Sequence, residues 1–209
     1  MTTIAQVKQL VRPLLQRNPD LALVKRWVVV KPVHHILRGI SIGRSLDPKS
    51  FVPTWAANFL FQPNARLHLF WGTHMNGIWD EDVPELAEKL ADAIEREALP
   101  TLRSIATIGD FVRFAHGAWP EDHKPYVDAA LGDFDAAQSM CNFFATLNGH
   151  YGIRQEECEH VVNELCPLIA ANDRPALARL LHKHEAESVK QLKLEKLWEP
   201  TLFPIEVES

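Results

Sequence analysis

Between Phe51 and Trp79 the chain carries one charged side chain, Arg66. Ahead of that stretch, residues 1–50 hold nine Lys/Arg against Asp20 and Asp47; from Asp80 onward 25 acidic residues face 12 basic ones, and the net charge is −5. A basic entry, an almost uncharged middle and an acidic remainder predict one compact body with a polarised surface potential, which limits the partners it can accept.

The uncharged stretch has the period of strands. Trp55, Ala57, Phe59 and Phe61 alternate with Ala56, Asn58 and Leu60, while Leu67, Leu69 and Trp71 alternate with Arg66, His68 and Phe70. Adjacent strands must turn their apolar sets to one side, and a slip of one residue flips every side chain. A two-residue turn at Pro63-Asn64 fails that condition. A three-residue loop, Pro63-Asn64-Ala65, meets it by pairing Phe61 with Leu67, Phe59 with Leu69 and Ala57 with Trp71. The apolar set is expected beneath one layer of helices. The other face then shows Asn58, Leu60, Gln62, Arg66, His68 and Phe70, a mixed surface on which Leu60 and Phe70 suit a partner interface.

Elsewhere the signals are shorter. Val7, Leu10, Val11 and Leu14 fall at helical spacing behind a cap at Thr3, predicting a helix over 4–17 that Pro13 kinks. Trp27–Val30 and His35–Arg44 read as strands. Val83, Leu86, Leu90 and Ile94 line one face of a helix that Pro100 should stop, and Thr107 with Asp110 forms a capping pair for the next. Ala130–Ala136 and Ala170–Ala176, 40 residues apart, both place a Gly or Asn suited to left-handed backbone directly before an Asp suited to capping, which predicts two helical hairpins. A final helix is expected over Asp173–Trp198, then an extended tail at Leu202–Val207.

No motif names a reaction. His34, His35, His68 and His74 could converge if their strands are neighbours, but neither C-x-x-C nor H-E-x-x-H occurs, so no metal site is expected. Glu156, His160 and Glu164 at four-residue spacing read as a solvated helix face, and His182-Lys183-His184-Glu185 as a surface cluster. With no G-x-S-x-G, P-loop or G-x-G-x-x-G, no catalytic residue and no cofactor is assigned. Cys141 and Cys166 read as small core residues. Together with Cys158 they are too few and odd in number for a disulfide framework, and with no secretory signal this points to the cytoplasm. No apolar run reaches the length of a membrane span.

The basic start is the better lead. Arg38, Arg66 and His68 are the candidate ligand-binding residues, with Arg44, Lys25, Arg26 and Lys31 nearby in strand order, and would suit an anionic ligand or an acidic protein surface. Nucleic acid is disfavoured by the net −5. The competing reading is intramolecular, the basic block facing the acidic helices across the fold.

Phe59-Leu60-Phe61 followed by Leu67–Gly72, and Glu97–Leu102 leading into Ile105–Phe111, give the chain an order of helix, antiparallel sheet and capped helix over residues 1–115 that resembles a bacterial family of domains of unknown function. Similar domains occur near bacterial toxin and interaction systems, and the resemblance implies binding rather than turnover. The expected fold is α+β: an antiparallel sheet of about four strands packed by helices on one face over 1–115, and an all-helical region over 120–209 packed on it as one compact unit. The expected function is a cytoplasmic binding or adaptor protein with a protein partner, immunity-like or scaffolding. The alternative is an enzyme or small-ligand binder with an anionic site at Arg38, Arg66 and His68, and a homodimer through the C-terminal helices is a third option.

Overall fold

The structure, a computed structural model, describes residues 3–47, 49–63, 71–77, 79–116, 122–147, 149 and 155–207. The fold is α+β, with a five-stranded antiparallel sheet in chain order: β1 (Leu21–Val24), β2 (Trp27–Val30), β3 (Ile36–Arg44), β4 (Phe51–Phe59) and β5 (Gly72–His74). The chain divides into two compact units. The first comprises Met1–Asn58, Leu67–Phe111 and Lys193–Glu199, and the second comprises Phe59–Arg66, Val112–Leu192 and Pro200–Ser209.

In the first unit, Thr3 and Gln6 form a reciprocal capping box that starts α1 (Ile4–Leu10). The helix breaks at Val11 rather than bending at Pro13, because Pro13 sits in the first turn of α2 (Arg12–Arg17), where its missing N–H costs nothing. Leu21 lies opposite Val30, and Leu23 opposite Val28, which in turn faces Ile40. Residues directly opposite share a face, so these rows present one apolar side. That side packs with Val7, Val11 and Leu14 and with Leu90, Ala91 and Ile94 of α3 (Leu86–Glu97), and Trp55 joins the same cluster. Each fully buried Leu, Ile or Val here contributes about 1.5–3 kcal/mol. Pro100 does not end the chain's helical path. It occupies the first turn of α4 (Leu99–Ser104), the same use as Pro13.

The pairing of β4 with β5 sets Thr54 opposite His74, Trp55 opposite Thr73 and Ala56 opposite Gly72. This is the expected register one step outward from Ala57 opposite Trp71. Asn64 and Ala65 of the loop, and Leu67, Leu69 and Phe70, lie outside the described residues. Gly72 is required: a Cβ there would run into the Trp55 carbonyl and the Ala56 side chain. Trp71 packs edge-on against Phe111, centroids 5.2 Å apart, on α5 (Ile108–Ala115), which Thr107 and Asp110 cap reciprocally.

Phe59 and Phe61 depart from the expected single layer. Their rings lie 4.9 Å apart and tilted within the second unit, Phe61 edge-on to Phe203 and Phe59 edge-on to His123. Leu60, expected on a partner-facing surface, is buried.

The second unit is helical: α6 (Lys124–Leu131), α7 (Phe134–Thr146), α8 (Gln155–His160), a π-helical turn (Val161–Leu165), α9 (Cys166–Ala170), α10 (Arg174–Leu192) and α11 (Pro204–Val207). The two hairpin corners are built alike. Gly132 and Asn172 have φ of 80° and 50°, and the next residue, Asp133 or Asp173, accepts the backbone N–H of Ala136 or Ala176 at 3.0 Å. The last long helix is shorter than expected, ending where Lys193 turns left-handed at φ 63°, and the tail expected as extended forms α11. Cys141 and Cys166 are a correction. They are joined as a disulfide, with Cα atoms 5.6 Å apart, so the cysteine count does not argue for a reducing compartment; Cys158 takes no part in it and is buried. Among the described residues no helix is long and apolar enough to cross a membrane.

Candidate functional site

Three places in the described residues gather chemistry, and the first is the end of the sheet in the first unit. β3 pairs Ile40 with Val28 and Gly39 with Val29 of β2, and Arg38 is the next residue of β3. It is only 7% exposed. Its Nη2 donates to the Pro32 carbonyl at 2.9 Å, and its Nε has no acceptor among the described residues. The closest carboxylate by charge, Asp20, is taken by another arginine: Arg103 donates from Nε to Oδ2 at 2.9 Å and from Nη2 to Oδ1 at 2.8 Å. Those bonds hold the Asp20 carboxyl below its usual range against the opposing effect of burial, and the Lys31 charge adds to them. Burial pushes the Arg38 pKa down, and Asp20 offsets this only in part. Val33 forms a parallel bridge with Trp198, Val33 N–H donating to the Leu197 carbonyl and Glu199 N–H to that of Val33, each at 2.9 Å. The Trp198 indole N–H is buried and has no acceptor among the described residues.

The second place is inside the helical unit. The π-helical turn carries Glu164, which receives His160 Nδ1 at 2.8 Å and lies 3.4 Å from His184 Nε2 on α10. Tyr126 of α6 faces His184 with ring centroids 5.9 Å apart. Tyr126 and His184 are each 2% exposed, and their Oη and Nδ1 have no hydrogen-bond partner among the described residues. Burial raises the Tyr126 pKa, and the charges of Glu164 and Asp122 raise it further. Burial lowers that of His184 against the opposing pull of Glu164, leaving a neutral imidazole. For Glu164 burial pushes upward, but the His160 hydrogen bond and the neighbouring cations outweigh it and hold the carboxyl low. The expected surface cluster at His182–Glu185 is thus half interior: Glu185 is 0% exposed, while His182 binds Glu206 of α11 at 2.9 Å.

The third is a groove of about 280 Å³ in the first unit, between α1, the start of β4 and the start of α3. Leu10, Phe51 and Leu86 supply apolar walls, and Gln6, Gln9 and Glu81 the polar ones. Gln6 Nε2 donates to Glu81 at 3.1 Å.

Of the expected ligand residues, Arg38 is placed as described, while Arg66 and His68 lie outside the described residues. His34 Nδ1 contacts the Glu199 carbonyl at 2.8 Å and His74 Nδ1 the Thr54 hydroxyl at 2.7 Å. Among the described residues no group of three or more His, Cys, Asp and Glu could hold a metal ion. Two residues of the basic block pair with acids: Arg17 engages Asp92 at 2.6 Å and Glu95 at 3.1 Å of α3 and also pairs with Glu88, and Lys49 engages Asp82, in the turn before α3, at 2.7 Å. The Tyr126–Glu164–His184 cluster was missed by sequence reasoning. Its one signal, an i, i+4 Glu/His pattern, is shared with exposed helices. Compared with protein-family models, curated proteins and solved structures, the chain matches none.

Proposed function

We propose that this chain is a binding or adaptor protein, an immunity-like or scaffold component akin to bacterial domains of unknown function, that holds a protein partner through the groove between α1 and α3. The groove is the observation that supports this reading. Apolar walls at Leu10, Phe51 and Leu86 with Glu81 as the charged lining residue suit a partner segment that inserts one apolar side chain and sets a Lys or Arg on Glu81. A photo-crosslinking residue at Gln9, on the groove wall, and one at the exposed Gln191 of α10 test it in the native cell. The reading expects a discrete adduct from position 9 alone; equal adducts from both, or none, overturn it.

Placement in the cytoplasm belongs to the same proposal, and the Cys141–Cys166 disulfide counts against it, because such bonds persist mainly in oxidising compartments. A second reading, a small-ligand binder with an anionic site, is favoured by one observation, the buried Arg38 guanidinium.

A further inference from the structure

A guanidinium stays protonated at any physiological pH, so its charge is kept when it is buried. A charge removed from water is stable only when an opposite charge or a full set of acceptors replaces the water. Arg38 has neither. It is 7% exposed, one carbonyl accepts one of its N–H groups, and the described residues offer it no carboxylate within ion-pair reach. Asp20 already gives both oxygens to Arg103, and the Lys31 charge also acts on it. One residue beyond the carbonyl that Arg38 engages, Val33 bridges Trp198, whose indole N–H is a second buried donor without an acceptor. Among the described residues these two donors are unused, and Asp20, the acid whose charge reaches Arg38, is already engaged.

We propose that Arg38 is the centre of an oxyanion site at this end of the sheet, taking the phosphate or carboxylate group of a small ligand on its unused guanidinium edge, with the Trp198 indole N–H as second donor. A guanidinium fork matches both groups, and the charge-assisted bonds would supply the compensation that the protein leaves out. The site does not share residues with the α1–α3 groove, so it stands or falls apart from the protein-partner reading; it gives the small-ligand reading its ligand class.

The full-length chain, labelled with ¹⁵N-tryptophan, is titrated at constant ionic strength with inorganic phosphate and, in a separate arm, with acetate and citrate, chloride serving as the control. The Trp198 indole resonance, assigned by its loss in Trp198→Phe, is expected to shift saturably and the melting temperature to rise. Arg38→Gln should abolish both responses, and Arg38→Lys, which keeps charge but loses the fork, should weaken binding by about tenfold. A response to phosphate alone assigns a phosphorylated ligand, and one to acetate or citrate as well assigns a carboxylate as sufficient. An unmoved Trp198 resonance in both arms overturns the proposal, as does an equal response in Arg38→Gln. Should Arg38→Gln fail to fold, the wild-type titration still decides, since the indole signal needs no variant at position 38.

Discussion

His184 shows how one side chain can couple an interior to pH. Its imidazole faces Glu164 from the π-helical turn and Tyr126 from α6, with Lys183 and Glu187 on its own helix, and burial is the largest influence on it. Above an ordinary imidazole pKa of about 6.5 the residue is neutral folded and unfolded, and the stability tied to it is fully present. As pH falls below that value the unfolded chain takes a proton that the folded chain resists, so stability declines with acid. Thermal melts between about pH 7.5 and about pH 5.5 should fall for the wild type and flatten for His184→Phe, the pH span bracketing the ordinary imidazole value. A wild-type melt independent of pH across that span would contradict this. Glu164, held low, loses its contribution only in the more acidic range. At this scale the sequence was uneven as a guide. The sequence marks Arg38 only as a basic residue in a strand and not as a buried one, and it marks His184 and Glu185 as surface, because burial depends on which elements pack against a side chain, and local spacing carries no such information.

The helical corners carry the clearest element-scale test. Asp133 and Asp173 cap α7 and α10 with the same bond at 3.0 Å, each directly after a left-handed residue. Asp133→Ala and Asp173→Ala should each destabilise by about 1 kcal/mol, read in a denaturant titration as a lower midpoint with unchanged slope. A change near zero for both would mean that the corners are held by packing alone. Capping chemistry is local, which is why Thr3, Thr107 and both corners were legible without knowledge of tertiary contacts. The register of β4 with β5 was legible for a related reason, since a period of two leaves one choice that keeps both apolar sets on one face. Pro13 does not kink one continuous helix, because a proline is acceptable in the first turn of the next; Pro100 is used in the same way, after α3 has ended at Glu97 as expected.

For the molecule as a whole, charge is used first for internal pairing. Arg17 and Lys49 of the basic entry meet acids of α3 and of the segment before it, and Arg103 takes Asp20, whereas among the described residues Arg38 is a buried cation with no ion-pair partner. The second unit is fastened by Cys141–Cys166, 25 residues apart in sequence. Reduction, or Cys141→Ser, should lower its stability by roughly 3 kcal/mol, measurable as the shift in unfolding midpoint with and without a dithiol reductant. Three cysteines gave no hint of this bond, because which of them pair is decided by the packing of α7 on α9 and not by spacing. The claim that the protein works by binding rests on the α1–α3 groove, and the most direct test is a quantitative comparison of tagged wild type, Glu81→Lys and a control, Glu195→Lys, for recovery of the protein crosslinked from Gln9. The account predicts that Glu81→Lys retains its melting temperature and loses recovery at least about tenfold while Glu195→Lys loses none; equal recovery by Glu81→Lys would contradict it.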